Sequence, residues 1–192
     1  TTASDGQLPP AGLVEYALNR GLDLIAVTDH DSTDGVGGAL IRAAGTPLEV
    51  WPGVEISTDV PRTEVHMLGY FVDPDRPQFK EILARLRDSR LWRAEQMVSR
   101  LRELGKPISF ERVLELAGTG SVGRPHVAQA MVEAGHVASA RDAFDQYLHR
   151  NGPAYVERYK ITPSEAIQVI REAGGMPVLA HPTYIKPGEG GG

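Results

Sequence analysis

The sequence predicts an α/β fold, a barrel-like core with a block of helices inserted into it, and three observations carry that reading. Short apolar runs of strand length alternate with helical patterns up to residue 75 and again after residue 155. From Arg76 to about His149 there is no convincing strand pattern, only helical periodicity. The composition, 41% hydrophobic and 23% charged over 192 residues, is that of a folded chain able to bury a core, which excludes disorder as the main state.

Each element has its own signal. Pro9 to Arg20 reads as a helix with Leu13, Val14, Ala17 and Leu18 on one face and Gly21 as its stop. Leu22 to Thr28 is an apolar run of buried-strand type, and Ser32 to Ala44 a second helix. Glu49–Ser57 and Glu64–Val72 follow as strands. Lys80 to Leu104 is one long helical pattern, and shorter helices are expected near 109–117, 125–134 and 138–148. Thr162, Pro163 and Glu165 form a capping-box signature for a helix that ends at Gly174-Gly175, and Met176–Ala180 is the last strand. A turn at Thr1–Gly6 with no element before it suggests residues missing upstream, and the chain closes on a glycine tail at 188–192.

Composition also bounds the chemistry. With no cysteine, disulfides, thiol nucleophiles and thiolate metal sites are excluded, so a metal would be held by imidazole and carboxylate. A formal charge of −5 argues against broad electrostatic binding of nucleic acid but leaves room for a local phosphate site. No apolar stretch approaches the ~20 residues of a membrane span, and no secretory signal opens the chain.

Two motifs sit just past strand ends. Leu24–Val27 runs into Thr28-Asp29-His30, and Pro177–Leu179 runs into Ala180-His181-Pro182. In βα barrels the carboxyl ends of parallel strands converge on one face, so two histidines 151 positions apart can meet there. Glu55 and His66 lie inside two further apolar strands. Each alone has an ordinary explanation: a satisfied core histidine, or a glutamate paired with Lys or Arg. Together, His30, Glu55, His66 and His181 point to a metal cluster, because a carboxylate among apolar neighbours needs a cationic partner. His136 and His149 have polar neighbours and read as surface residues.

Two further patterns are set aside or reinterpreted. Asp29–Leu40 fails as a calcium loop, with Asp34 where glycine is needed and Leu40 in place of the closing glutamate. Gly118–Gly123 matches a dinucleotide fingerprint but follows a helix rather than a strand. It runs into Arg124-Pro125-His126, a helix start suited to an anion, unless Arg124 is simply solvated and His126 simply packed. Residues 80–106 carry eight basic and four acidic side chains, a local +4 that leaves −9 elsewhere; this is a solvated face or one that leans over a phosphorylated substrate.

Ser4-Asp5-Gly6, Thr28-Asp29-His30-Asp31, Gly53-Val54-Glu55-Ile56-Ser57, His66-Met67-Leu68-Gly69, Arg124-Pro125-His126 and Ala180-His181-Pro182 come in the right order along nearly the whole chain. In them the sequence resembles the PHP (polymerase and histidinol phosphatase) family, in its bacterial metal-dependent phosphoesterase branch. The resemblance implies an α/β fold, a distorted (β/α)7 PHP barrel with an inserted helical lid: barrel over 1–75, lid over 76–155, barrel again over 156–192. It implies up to three divalent metal ions, manganese first, with zinc, iron or magnesium as alternatives. Asp5, His30, Glu55, His66 and His181 would be five of the family's nine ligands. The family's other four, a His-x-His pair before Thr1 and a Gly-x-Asp-x-His segment after His181, are absent from these residues, so both ends of the barrel are expected to be missing.

The resemblance further implies a metal-dependent phosphoric ester hydrolase. Its substrates would be nucleoside 3′,5′-bisphosphates, losing the 3′-phosphate, or short 5′-phosphorylated RNA. Arg124 and His126 would hold a substrate phosphate, and His181 would be a candidate to protonate the leaving oxygen. Two alternatives remain open: a phosphomonoesterase of the histidinol-phosphate type, which needs no second phosphate clamp, and a PHP module without catalysis. The expected setting is the cytoplasm, with no membrane contact and no obligate protein partner.

Overall fold

The computed structural model describes residues 1–60, 63–118 and 120–184; the glycine tail at 188–192 and Thr119 of the glycine run lie outside the described residues. The chain forms two compact units, one of residues 1–84 with the chain from Lys160 onward, the other of residues 85–159. Among the described residues no helix is long and apolar enough to cross a membrane.

The first unit is mixed α/β. Its order is α1 (Pro10–Asn19), β1 (Leu24–Val27), α2 (Asp34–Ala43), β2 (Glu49–Val60), β3 (Thr63–Tyr70) and the start of α3 (Pro77–Glu103), then α7 (Pro163–Glu172) and β4 (Met176–Leu179). The four strands form one sheet in the order β1-β2-β3-β4. β1 pairs with β2 in parallel, whereas β2–β3 and β3–β4 are antiparallel. β1, β2 and β4 therefore run the same way and β3 runs against them, a reversal that an apolar run does not encode. The chain beyond β1 and the chain beyond β4 consequently leave the sheet on the same side.

Period-two alternation sorts β2. Val54 and Ile56 are fully buried, so Glu55 and Ser57 take the opposite face. α1 and α2 cover the β1 end, where Val14, Ala17, Val27, Val36, Ala39, Ala43, Leu48 and Val50 form one apolar cluster. The capping box expected before α7 is present: Glu165 N–H donates to Thr162 Oγ1 at 3.3 Å, and Thr162 N–H donates to Glu165 Oε2 at 2.6 Å.

The second unit is helical, as the absence of strand patterns predicts. It holds the rest of α3, then α4 (Phe110–Ala117), α5 (Arg124–Glu133), α6 (Ala140–Ala143) and a π-helical turn at Phe144–Leu148. The sequence reads 138–148 as one helix; in the structure the hydrogen bonding widens partway, with His149 N–H reaching Phe144 O at 3.0 Å. Ala94, Met97, Val98 and Leu101 recur at helical spacing along α3 and pack with Val113, Val127, Met131 and Leu148 into one core. The glycine run is not a nucleotide loop: Gly118 ends α4 at φ 57° and Gly123 precedes α5.

Close backbone approach at Gly53 gives a test of this packing. An added Cβ would meet Gly69 O at 2.9 Å, Val27 O at 3.0 Å and Thr28 Cγ2 at 2.8 Å, whereas one at Gly37 on exposed α2 surface meets nothing. Gly53→Ala is expected to lower unfolding stability by about 1–3 kcal/mol and Gly37→Ala to raise it by about 0.5–1 kcal/mol, read by urea denaturation.

Candidate metal centre

The loop after β1 extends the parallel ladder beyond the end of the strand. Glu55 N–H donates to Asp29 O at 3.0 Å, and Asp31 N–H donates to Glu55 O at 3.0 Å. The next ladder acceptor is a side chain: Asp31 Oδ1 takes Ser57 N–H at 2.9 Å. Asp31 adopts φ 50°, fully buried, to make this turn, so backbone bonds hold Glu55 through both its N–H and its carbonyl, and a third bond ties Ser57 to the same loop. Asp29, also buried, accepts Ser4 Oγ at 2.8 Å and Thr1 Oγ1 at 2.8 Å. Neither aspartate faces a calcium-type cage.

β3 brings in His66. In the antiparallel register His66 lies opposite Ser57, one diagonal step from Glu55 and on its face of the sheet. β4 brings in His181. Ala180 N–H donates to His66 O at 3.0 Å, and His181, at φ 27° before Pro182, turns back toward the sheet.

The result is a tight set of donor atoms. Glu55 Oε1 lies 2.8 Å from His66 Nδ1 and 3.2 Å from His181 Nε2, and those two nitrogens are 3.2 Å apart. Neighbouring ligands on one ion with bonds of ~2.1 Å stand about 3.0–3.4 Å apart; the two 3.2 Å edges match that spacing, and the 2.8 Å edge is slightly shorter. On the other side of the carboxylate, Glu55 Oε2 lies 3.9 Å from His30 Nδ1, within the ~4.2 Å span of two donors on one ion. His30, Glu55 and His66 each offer a donor atom within 4.8 Å of the others. The rings pack edge-on, His30 to His66 and His66 to His181, each pair with centroids 5.0 Å apart. A nitrogen–oxygen donor set without sulfur suits manganese, zinc or iron.

Electrostatics agree. Burial disfavours the Glu55 carboxylate, but the hydrogen bond from His66, the charges of His30 and His66, and the hydrogen bond from His181 outweigh it and hold the carboxyl at about 2. Glu55 is thus an anion across the physiological range, the state a metal ligand requires.

Of the residues singled out from sequence, His30, Glu55, His66 and His181 come together. Asp5 is exposed and lines the roughly 190 Å³ cavity that His30 and Glu55 also line, outside the tight donor set. Arg124 and His126 open α5 in the second unit, where Gly123 N–H donates to His126 Nδ1 at 3.0 Å. That bond leaves the neutral imidazole's proton on Nε2, a donor suited to an anion. His149 is exposed, whereas His136, read from sequence as a surface residue, is half-buried with Nε2 2.7 Å from Pro107 O. Asp31, which the sequence reading names only within a motif and gives no role, is the residue whose N–H and carboxylate carry the ladder from Glu55 to Ser57; a side chain standing in for a ladder carbonyl leaves no periodic trace.

No family model matches the chain. Curated relatives do. It is 40% identical over 184 residues to the 5′-3′ exoribonuclease Rnm of Escherichia coli K12, covering 95% of this chain and 63% of that protein. It is 35% identical over 180 residues to the 3′,5′-nucleoside bisphosphate phosphatase of Chromobacterium violaceum, covering 93% and 63%. The chain thus spans less than two thirds of these relatives. Among solved structures, an amidohydrolase from Chromobacterium violaceum with bound sulfate and no metal superposes at a TM-score of 0.90 with 34% identity, over 98% of this chain and 67% of the other. A protein of Bifidobacterium adolescentis assigned as a metal-dependent phosphoesterase superposes at 0.87 with 34% identity, over 94% and 64%. With the ordered motifs and the donor set they build, these likenesses show that the chain belongs to the PHP family of phosphoesterases.

Proposed function

We propose that this chain belongs to a metal-dependent phosphoric ester hydrolase that removes the 3′-phosphate of nucleoside 3′,5′-bisphosphates and trims short 5′-phosphorylated RNA. The observation that carries this reading is the triangle of Glu55 Oε1, His66 Nδ1 and His181 Nε2, with edges of 2.8, 3.2 and 3.2 Å. The names of the relatives, an exoribonuclease and a bisphosphate phosphatase, support the substrate class. We read the described strands as part of a distorted (β/α)7 barrel and residues 76–155 as its helical lid.

Divalent ions, manganese in our reading, would when bound supply Lewis acidity for activating water and neutralising charge on the phosphoryl oxygens. Glu55 presents one oxygen to His66 and His181 and the other to His30, so together these four residues would hold the metal. Asp5, on the shared cavity, adds a carboxylate to the same mouth. Sequence gives His181 two roles, ligand and proton donor, but they compete for one nitrogen. Nε2 sits 3.2 Å from both Glu55 Oε1 and His66 Nδ1, which favours the ligand role. Water then bonds to phosphorus, the bond to the 3′ oxygen breaks, and solvent returns a proton to the leaving oxygen. Arg124 and His126 take the second phosphate through a guanidinium and an Nε2–H at a helix start.

Exhaustive chelation is expected to abolish hydrolysis of adenosine 3′,5′-bisphosphate and added Mn²⁺ to restore it; activity that survives chelation contradicts the reading. Arg124→Ala is expected to raise KM for the bisphosphate at least tenfold, whereas an enzyme for small monophosphates would keep its turnover. Asp31→Ala is expected to weaken Mn²⁺ binding by about 10–100-fold in calorimetric titration, because the buried Ser57 N–H two residues from Glu55 loses its acceptor, while Asp31→Asn keeps an oxygen acceptor for Ser57 N–H and stays near wild type.

A further inference from the structure

Arg124 lies against two aromatic rings from separate segments of the helical unit. We propose that Phe144 and Tyr155 are positioning residues that aim its guanidinium at the second phosphate and so set the preference for bisphosphates over monophosphates. This rests on the reading of Arg124 given above and deepens it.

The geometry is specific. Arg124 Cζ stands 5.7 Å from the Phe144 ring centroid and 5.9 Å from that of Tyr155, both inside the ~6 Å at which a ring face attracts a cation. Arg124 Nη1 also reaches the carbonyl oxygen of Leu148 at 3.5 Å. Phe144 opens the π-helical turn and Leu148 closes it, so one widened turn supplies both a ring and a terminal carbonyl.

Tyr155 is itself fixed. Ala154 and Val156 on either side of it are buried in the core. Its N–H donates to Gly152 O at 3.0 Å, and its hydroxyl donates to the Glu157 carboxylate at 3.1 Å. Phe144 packs partly against the same core.

Rings are well suited to this task. A ring face attracts the charge of a guanidinium from above its plane. An arginine held in place before its ligand arrives gives up less rotamer freedom on binding, and the gain falls on KM rather than on the chemical step. His126, two residues along and capped through Gly123 N–H, is held in the same first turn of α5.

The test measures KM and kcat for adenosine 3′,5′-bisphosphate and adenosine 3′-monophosphate in the full protein carrying Phe144→Leu, Tyr155→Leu, Tyr155→Phe or Arg124→Ala. Phe144→Leu and Tyr155→Leu are each expected to raise KM for the bisphosphate about two- to fivefold without lowering kcat, and to leave KM for the monophosphate in place. Tyr155→Phe keeps the ring and is expected to stay closer to wild type than Tyr155→Leu, and neither leucine variant adds to the effect of Arg124→Ala. Equal losses on both substrates, or a fall in kcat, overturn the clamp and leave a structural role. If Arg124→Ala raises KM for the bisphosphate while both leucine variants match wild type, the clamp fails and the phosphate reading of Arg124 stands. If Arg124→Ala changes nothing, that reading fails first. Should Phe144→Leu melt well below wild type, Tyr155→Leu against Tyr155→Phe decides alone.

Discussion

A carboxylate on a core strand, with imidazoles at both of its oxygens, is the arrangement on which the rest depends. Val54 and Ile56 anchor β2 in the interior, and alternation then presents Glu55 to the opposite face, where burial alone would push its proton on. Hydrogen bonding from His66 and His181 and the charge of His30 and His66 reverse that tendency. Such a group is costly without a cation, and three nitrogens beside it make that cation a metal rather than a lysine. Topology delivers them: β1 and β4 run alike and release His30 and His181 on one side, and β3 returns with His66 one diagonal from Glu55.

Much of this was legible in the sequence, and for identifiable reasons. His30 and His181 announce themselves because apolar strand runs end on them, and Glu55 and His66 because a polar residue interrupts an apolar run. The helical block was legible from the spacing of Met97, Val98 and Leu101, and the start of α7 from Thr162 and Glu165. The direction of β3 was not, since a short apolar run looks the same parallel or antiparallel. Nor was the ladder bond at Asp31, where a buried side chain replaces a ladder carbonyl, nor the widening of the helix at Phe144, which no periodicity marks. Contacts such as Phe144 and Tyr155 with Arg124 join segments 20 and 31 positions apart and arise only once the core has formed.

The two halves of the proposed chemistry draw on different physics. The metal centre uses charge concentrated by strands and held by backbone bonds on either side of one residue. The proposed phosphate site would use a helix start, a histidine bonded to Gly123 N–H and an arginine beside two ring faces, so its recognition would rest on preorganised donors rather than on net charge. A formal charge of −5 leaves such recognition to local donors rather than to a broad positive field.

Anomalous diffraction at the manganese edge, from crystals of the protein soaked in Mn²⁺, tests the central claim most directly. The account predicts a peak within bonding distance of Glu55 Oε1, His66 Nδ1 and His181 Nε2 together. A map with no peak there, or with manganese bound only elsewhere on the surface, would contradict it.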